Sequence, residues 1–435
     1  MTNQQLIQRS LTAVWHPCTQ MKQHEQYPLV PIQRGEGVWL YDFEGKRYLD
    51  AVSSWWTNLF GHNNPRIKDA IKHQLDTLEH VMLAGFTHQP VIELSEKLGR
   101  LTGLGHAFYG SDGASATEIA LKMSFHFWRN SGKSGKNKFI SLKNSYHGET
   151  LGALGVTDVT IFKDTYAALL TQSAQAPSPD WRLAEQGESP EQFALRCADT
   201  LERYVAAHAD ELAAFIIEPL VQCAAGMSMY HPVYLQRARE ICDRYQVHLI
   251  ADEIAVGFGR TGTMFACESA QIRPDFMCLS KGITGGYLPL SVVLTTDAIY
   301  QVFYHDEVTK GFLHSHSYTG NPLACSAALA TLAIFERDDV LQKNRQKAEF
   351  INTEMQALTR LPIQYLRQQG MIWAFDVVTD NPDFSKACYA NALAQGLLLR
   401  PIGNTVYFMP PYTITQDEIE CALQASIHAV SRAIK

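Results

Sequence analysis

Four short apolar runs punctuate the middle of the chain: Phe139-Ile140-Ser141-Leu142, Ala214-Phe215-Ile216-Ile217, Val247-His248-Leu249-Ile250-Ala251 and Phe276-Met277-Cys278-Leu279. Runs of this length, bounded by turn-forming or charged residues, have the pattern of strands buried on both faces. Between the second and third, Leu235, Ala238 and Ile241 recur at helical spacing. Strand, amphipathic helix and strand make a βαβ unit, so an α/β fold with a parallel sheet is expected.

Polar residues mark where other helices begin. Asn64 and Pro65 open one with Ile67, Ile71, Leu75 and Leu78 on a single face, suited to packing on a sheet. Ser115 and Glu118 read as a capping box ahead of Ile119, Met123 and Phe127; Ser189 and Gln192 read as another. Thr415 and Glu418 start a last helix with Ile419, Leu423, Ile427, Val430 and Ile434 on its apolar face. Residues 1–35 show no periodic element and read as an arm lying over the body of the protein. An aromatic hairpin follows, Val38–Phe43 and Lys46–Asp50 around Glu44-Gly45. Ala174–Asp180 has the composition of a surface excursion within one domain. The small-residue run Leu323–Ala330 permits close helix packing and marks a crossing to a smaller C-terminal domain, which holds the strand-like Trp373–Val377 and Gly396–Pro401.

Composition narrows the function. With 435 residues, 46% hydrophobic and 19% charged, the chain has the balance of a globular enzyme with more than one domain. A net charge of −7 disfavours nucleic acid and acidic membranes as partners and leaves small molecules. No apolar stretch is long enough to span a bilayer and Met1–Gln5 has no signal-like character, so a cytoplasmic protein is expected. Nine scattered cysteines without a C-x-x-C pair fit reduced thiols, not a disulfide framework or a zinc site.

Candidate chemistry gathers at strand ends. Asp252 closes one apolar run and Lys281 follows another, with Gly285-Gly286 just beyond; open α/β sheets place ligands at this edge. A desolvated lysine loses its proton more easily and can form a Schiff base with an aldehyde cofactor; pairing with a nearby carboxylate is the structural alternative. The loop Tyr109–Glu118 suits a phosphate or is simply a capped helix start. Gly257–Gly262 matches G-x-G-x-x-G, but without a strand before and a helix after it does not read as a dinucleotide site. His314-Ser315-His316 lacks a third ligand at a recognisable spacing, so no metal is expected. Trp55-Trp56 is core packing or a substrate wall. Arg400, ending an apolar run, needs an anion, either a structural acid or a substrate carboxylate.

Together with Trp15-His16-Pro17, Ser53-Ser54-Trp55-Trp56, Tyr146-His147-Gly148-Glu149-Thr150, Asp252-Glu253-Ile254, Gly320-Asn321-Pro322-Leu323-Ala324-Cys325 and Arg400-Pro401, these motifs make the chain resemble the class III, fold type I, pyridoxal-phosphate aminotransferases from about Trp15 onward. The resemblance implies a large cofactor-binding domain, residues 61–325, with a mostly parallel seven-stranded sheet. It also implies a smaller α+β domain from residues 1–60, arm included, and 326–435. Lys281 would bind pyridoxal 5'-phosphate covalently and shuttle the proton, Asp252 would pair with the ring nitrogen, and Tyr146 would stack on the ring. Gly113 and Ala114 would hold the phosphate, with Ser317 reaching it from the neighbouring subunit of a homodimer with shared active sites. Trp55, Tyr146, Arg260, Gly320 and Arg400 would line the substrate site together with Lys281, Arg400 taking a carboxylate.

The implied activity is transfer of an amino group to 8-amino-7-oxononanoate, a step of biotin biosynthesis, from S-adenosylmethionine or lysine by ping-pong kinetics. Another ω-amino acid or a diamine is the alternative substrate. Cys18 stands where many relatives carry an aromatic residue, Glu149 where aspartate is common, and Ala114 and Ser317 where serine and threonine are frequent.

Overall fold

A computed structural model describes residues 1–27 and 29–435; Pro28, within the expected arm, lies outside them. The chain forms two compact units, Arg66–Arg345 and Met1–Pro65 with Gln346–Lys435. The divisions read from the sequence fall after residues 60 and 325; those of the units fall after residues 65 and 345.

In the larger unit the described residues build a seven-stranded sheet from β1 (His106–Gly110), β2 (Lys138–Leu142), β3 (Ala174–Ala176), β4 (Leu212–Ile217), β5 (His248–Asp252), β6 (Phe276–Leu279) and β7 (Ser291–Thr295). Their order is β1-β7-β6-β5-β4-β2-β3. The pairings β6–β5, β5–β4, β4–β2 and β2–β3 are parallel, and β7 runs antiparallel to β6 and β1. This is the mostly parallel α/β sheet expected of fold type I. In register, Asp252 lies opposite Cys278, so the carboxylate ending β5 and the lysine two residues past β6 leave the sheet at the same edge.

The helix Gly113–Asn130 covers one face of this sheet. Its Ile119 and Met123 are buried with Ile216, Ile250, Phe276 and Val293, each such side chain contributing about 1.5–3 kcal/mol. The helix Val233–Tyr245 connects β4 to β5, as its spacing predicts.

Three expectations in the larger unit need correction. Ala174–Asp180 is not a surface excursion: its first three residues are β3, and Ser178 and Asp180 are buried. Ser178 donates to Gln222 Oε1 at 2.5 Å and Asp180 accepts from Arg182, so polar composition reflects internal hydrogen bonding and not solvation. The helix opened by Pro65 ends at Leu75, leaving Leu78 beyond it and Leu75 58% exposed; only its Ile67 is fully buried. The expected Ser115–Glu118 capping box does not form, because the helix starts three residues earlier and Asp112 caps it by accepting from Ser115 N at 2.8 Å. Glu118 instead accepts from Thr150 Oγ1 at 2.6 Å and Gly152 N at 2.8 Å, tying the Tyr146–Thr150 loop to the helix.

The smaller unit is α+β and joins the chain's two ends. Ile32–Glu36, Trp39–Asp42 and Arg47–Asp50 form an antiparallel meander, and Leu397–Leu398 adds to Arg47–Asp50 in parallel. The hairpin turns at Gly45, where a φ of 86° suits glycine. A second antiparallel sheet holds Ile363–Gln369, Ile372–Val377 and Thr405–Phe408. The last helix, Gln416–Ala433, begins with the expected Thr415–Glu418 box. Contrary to the unpatterned arm expected, Asn3–Ala13 is helical, started by a reciprocal Thr2–Gln5 cap that needs no apolar periodicity to form. Among the described residues no helix is long and apolar enough to cross a membrane.

Candidate active site

The site builds from the carboxyl ends of β4, β5 and β6. Asp252, the last residue of β5, is buried; its Oδ1 accepts from Ile254 N at 3.1 Å and its Oδ2 lies 2.7 Å from His147 Nδ1. Beyond β6, Lys281 holds a left-handed φ of 45°, a strained conformation for a long side chain that persists only where the surroundings enforce it. Ser280 Oγ anchors the approach by donating to Leu290 O at 2.8 Å. Desolvation lowers the Lys281 pKa, opposed by the nearby Cys223 thiol and by the carboxylates of Asp252 and Glu218. The amine thus loses its proton more readily than a solvated lysine while standing among acids that would accept one.

Two members of this cluster are not singled out by the sequence reading. Glu218 follows β4 as Asp252 ends β5, so an acid closing an apolar run was the available signal. Its Oε1 accepts from Tyr146 N at 3.0 Å and its Oε2 from Cys223 N at 3.2 Å. His147 is the other. Its Nδ1 faces Asp252, and its buried Nε2 has no hydrogen-bond partner among the described residues. Its signal was the polar Asn144–Thr150 loop directly after β2.

Burial pushes the Glu218 carboxyl from its ordinary 4.5 up to about 7. The folded chain therefore holds a proton that the unfolded chain releases between those values. The resulting stability is fully present below the unfolded pKa and is lost as pH rises through 7, at most roughly 3 kcal/mol. Glu253, also raised to about 7 by burial, retains part of this slope. Glu218→Gln should therefore lose less melting temperature than the parent between about pH 5.5 and pH 8. Superimposable profiles in thermal melts would contradict the assignment.

The start of helix Gly113–Asn130 closes the cluster. Gly113 and Ala114 are its first two residues, so their N–H groups have no intrahelical acceptor, and the helix dipole favours an anion there. A Cβ on Gly113 would lie 3.0 Å from Ile254, just past Asp252, and one on Gly148 would come within 2.6 Å of the Ala114 Cβ. Both glycines allow the helix start, the Tyr146–Thr150 loop and the end of β5 to meet. Tyr146 is half-buried, its hydroxyl donating to Glu149 Oε1 at 2.9 Å and its ring edge-on to Phe162 at 5.4 Å.

A helix start suited to an anion, a buried carboxylate, a desolvated amine and an aromatic face together fit pyridoxal phosphate. The donor set matches its phosphate, ring nitrogen, aldehyde and ring in turn.

The remaining expected site residues divide into three groups. Arg260 is 1% exposed and close enough to influence the Cys223 thiol, which burial raises well above its usual value. Gly320 is buried with φ 60° and accepts from His88 Nε2 at 2.8 Å, while Ser317 is exposed on the preceding turn, where no side-chain hydrogen bond holds it among the described residues. In the smaller unit, the Trp55 ring lies 4.9 Å from the Arg400 guanidinium. Trp55 belongs to a left-handed turn whose residues each cost about 1–2 kcal/mol relative to right-handed backbone.

Residues 20–430 match the family model described as aminotransferase class-III. An adenosylmethionine-8-amino-7-oxononanoate aminotransferase from Helicobacter pylori is 48% identical, over 98% of this chain and 97% of that protein. The crystal structure of the protein of the same name from Methanocaldococcus jannaschii superimposes with a TM-score of 0.91 at 37% identity, covering 99% of each chain. An amine transaminase from an uncultivated Pseudomonas species, solved with pyridoxal phosphate bound, has a TM-score of 0.91 and 32% identity, over 97% of this chain and 99% of that one.

Proposed function

The chain belongs to the class III aminotransferases, which use pyridoxal phosphate, and from that premise we propose that it converts 8-amino-7-oxononanoate to 7,8-diaminononanoate in biotin biosynthesis, with S-adenosylmethionine as amino donor. The observation that carries the chemistry is the meeting of a desolvated Lys281 with the Asp252–His147 pair at one sheet edge. The names of the similar proteins support the choice of substrates.

In this reading the Gly113 and Ala114 amides hold the phosphate, Tyr146 lies against the ring, and Lys281 provides the covalent attachment. When bound, pyridoxal phosphate supplies an aldehyde that captures the amine and a ring that spreads the charge left when the adjacent carbon loses its proton. Once the donor amine has displaced it from that attachment, Lys281 Nζ, poised by desolvation, would be free to take that proton and pass it on. Asp252, oriented by Ile254 N and His147, keeps the ring nitrogen protonated. Buried Arg260 and Gly320 shape the substrate side, with Tyr146 as an apolar wall. Donor and acceptor use the same groups in turn, which gives ping-pong kinetics.

A homodimer is the active unit in this proposal, with Ser317 of each copy completing the phosphate site of the other. Exposed Met82, Phe86, Tyr304, Val308, Leu313 and Tyr318 supply apolar surface for a second copy to cover.

Arg400 makes no ion pair among the described residues, which favours an anion from outside over a structural acid. Arg400→Ala should raise KM for 8-amino-7-oxononanoate by about 10- to 100-fold, the worth of a charge-assisted hydrogen bond, with the donor half-reaction nearly unchanged. Equal losses with donor and acceptor, measured in separated half-reactions, would remove the carboxylate assignment and with it the proposed acceptor.

A further inference from the structure

The turn that carries Trp55 is wound against the preference of L-amino acids. Ser53, Ser54, Trp55 and Trp56 have φ angles of 50°, 46°, 69° and 73°, a left-handed turn built without glycine. Residues other than glycine visit this region singly, if at all. A run of four must be held from outside, and such strain concentrates where function constrains the backbone.

The constraint can be followed from one buried carboxylate. Asp50 ends the strand Arg47–Asp50 and is fully buried. Its Oδ1 accepts from Val52 N at 3.3 Å, immediately before the turn. Its Oδ2 accepts from Ser54 Oγ at 2.7 Å, inside the turn, and lies 3.1 Å from His62 Nε2. Asn58 Nδ2 is 3.1 Å from His62 Nδ1, an arrangement that places the imidazole proton on Nε2 and aims it at Asp50.

The neighbours of Trp55 are tied as well: Ser53 Oγ donates to Met409 O at 2.7 Å and Trp56 Nε1 to the Tyr407 hydroxyl at 3.1 Å. Trp55 itself has no side-chain hydrogen bond among the described residues. It stays 43% exposed with its ring over Arg400. Relaxed to a right-handed turn, the segment would carry the indole off the guanidinium.

We propose that Asp50, backed by His62, is a positioning residue for acceptor specificity. Through Ser54 it holds the left-handed turn and so keeps the Trp55 indole beside Arg400, where an aromatic wall and a cation together suit an alkyl carboxylate. Asp50 touches no substrate and acts through Trp55. The inference rests on the assignment of Trp55 and Arg400 to the acceptor.

The test is a double-mutant cycle on the cofactor-loaded enzyme with Ser54→Ala and Trp55→Ala, reading KM for 8-amino-7-oxononanoate and the rate of the donor half-reaction. Ser54 is exposed, so its truncation leaves the core intact. Ser54→Ala should raise the acceptor KM about tenfold, the worth of a hydrogen bond to a charged group, with the donor half-reaction unchanged. In the Trp55→Ala background it should add nothing. Asp50→Asn, which fills the same volume but offers an amide where two donors need an acceptor, should act in the same direction.

Effects of Ser54→Ala that persist undiminished without Trp55, or that fall equally on donor and acceptor, overturn the positioning role. If Trp55→Ala alone leaves the acceptor KM unchanged, the assignment of Trp55 fails first and takes this inference with it.

Discussion

Lys281→Ala should abolish turnover and leave the fold at least as stable as the parent. In the proposed reaction the lysine is asked to do two things that no neighbour can do: attach the cofactor covalently and move a proton at carbon. Loss of a positioned acid–base group alone costs about 10²- to 10⁴-fold in rate, so with the covalent attachment lost as well the measured kcat should fall by at least about 10²-fold and toward zero. Stability should not fall with it, because the folded protein desolvates this amine, as its lowered pKa records. Alanine removes that desolvation cost while keeping the backbone of the Lys281–Thr284 turn. The left-handed φ of 45° costs alanine about as much as it costs lysine, so backbone strain leaves the comparison unchanged. A variant with a near-normal rate, or one that fails to fold, would contradict the role.

Asp252→Asn should cost about 10³-fold in the rate of proton removal from the donor, comparable to deleting a fixed electrostatic partner of a transition state. The substitution is nearly isosteric, and its carbonyl can still accept from Ile254 N, now 3.1 Å from Asp252 Oδ1. What changes is the other oxygen, 2.7 Å from His147 Nδ1. An amide there is a donor, so His147 would have to move its proton to Nε2, a buried atom with no hydrogen-bond partner among the described residues. The variant thus loses the negative charge proposed to face the ring nitrogen and strands a buried donor as well. Solvent-deuterium exchange at the donor carbon reads this step directly. A loss below about tenfold would show that another group holds the ring nitrogen.

The parts of the fold written in the sequence are those where local pattern and tertiary role agree. The runs containing Phe215, Ile250 and Phe276 are apolar because both faces of their strands are covered, so periodicity alone locates them. Asp252 and Lys281 are legible by position for the same reason, each standing at the end of such a run, where the sequence leaves a ligand site and a structural ion pair both open. Glu218 carries the same signal in weaker form, because Pro219 after it reads as a strand terminator.

What the sequence hides depends on long-range partners. Ser115 and Glu118 satisfy the capping-box spacing, yet Asp112 reaches Ser115 N first and Glu118 finds the Thr150 loop. The helix Asn3–Ala13 has no buried residue and therefore no stripe to read. β7 runs antiparallel between β1 and β6, and nothing in Ser291–Thr295 marks that direction. The left-handed turn at Trp55 is the extreme case. Serine and tryptophan have no preference for that backbone, and the bonds to Asp50, Met409 and Tyr407 show what helps to hold it.

The most direct test of the central claim is a single-turnover absorbance experiment on the cofactor-loaded enzyme. The visible band of bound pyridoxal phosphate should disappear when S-adenosylmethionine is added alone and return when 8-amino-7-oxononanoate follows. A band that S-adenosylmethionine leaves unchanged but lysine, ornithine or 4-aminobutyrate removes would contradict the donor. Failure of 8-amino-7-oxononanoate to restore the band would contradict the acceptor, and with it the proposed reaction.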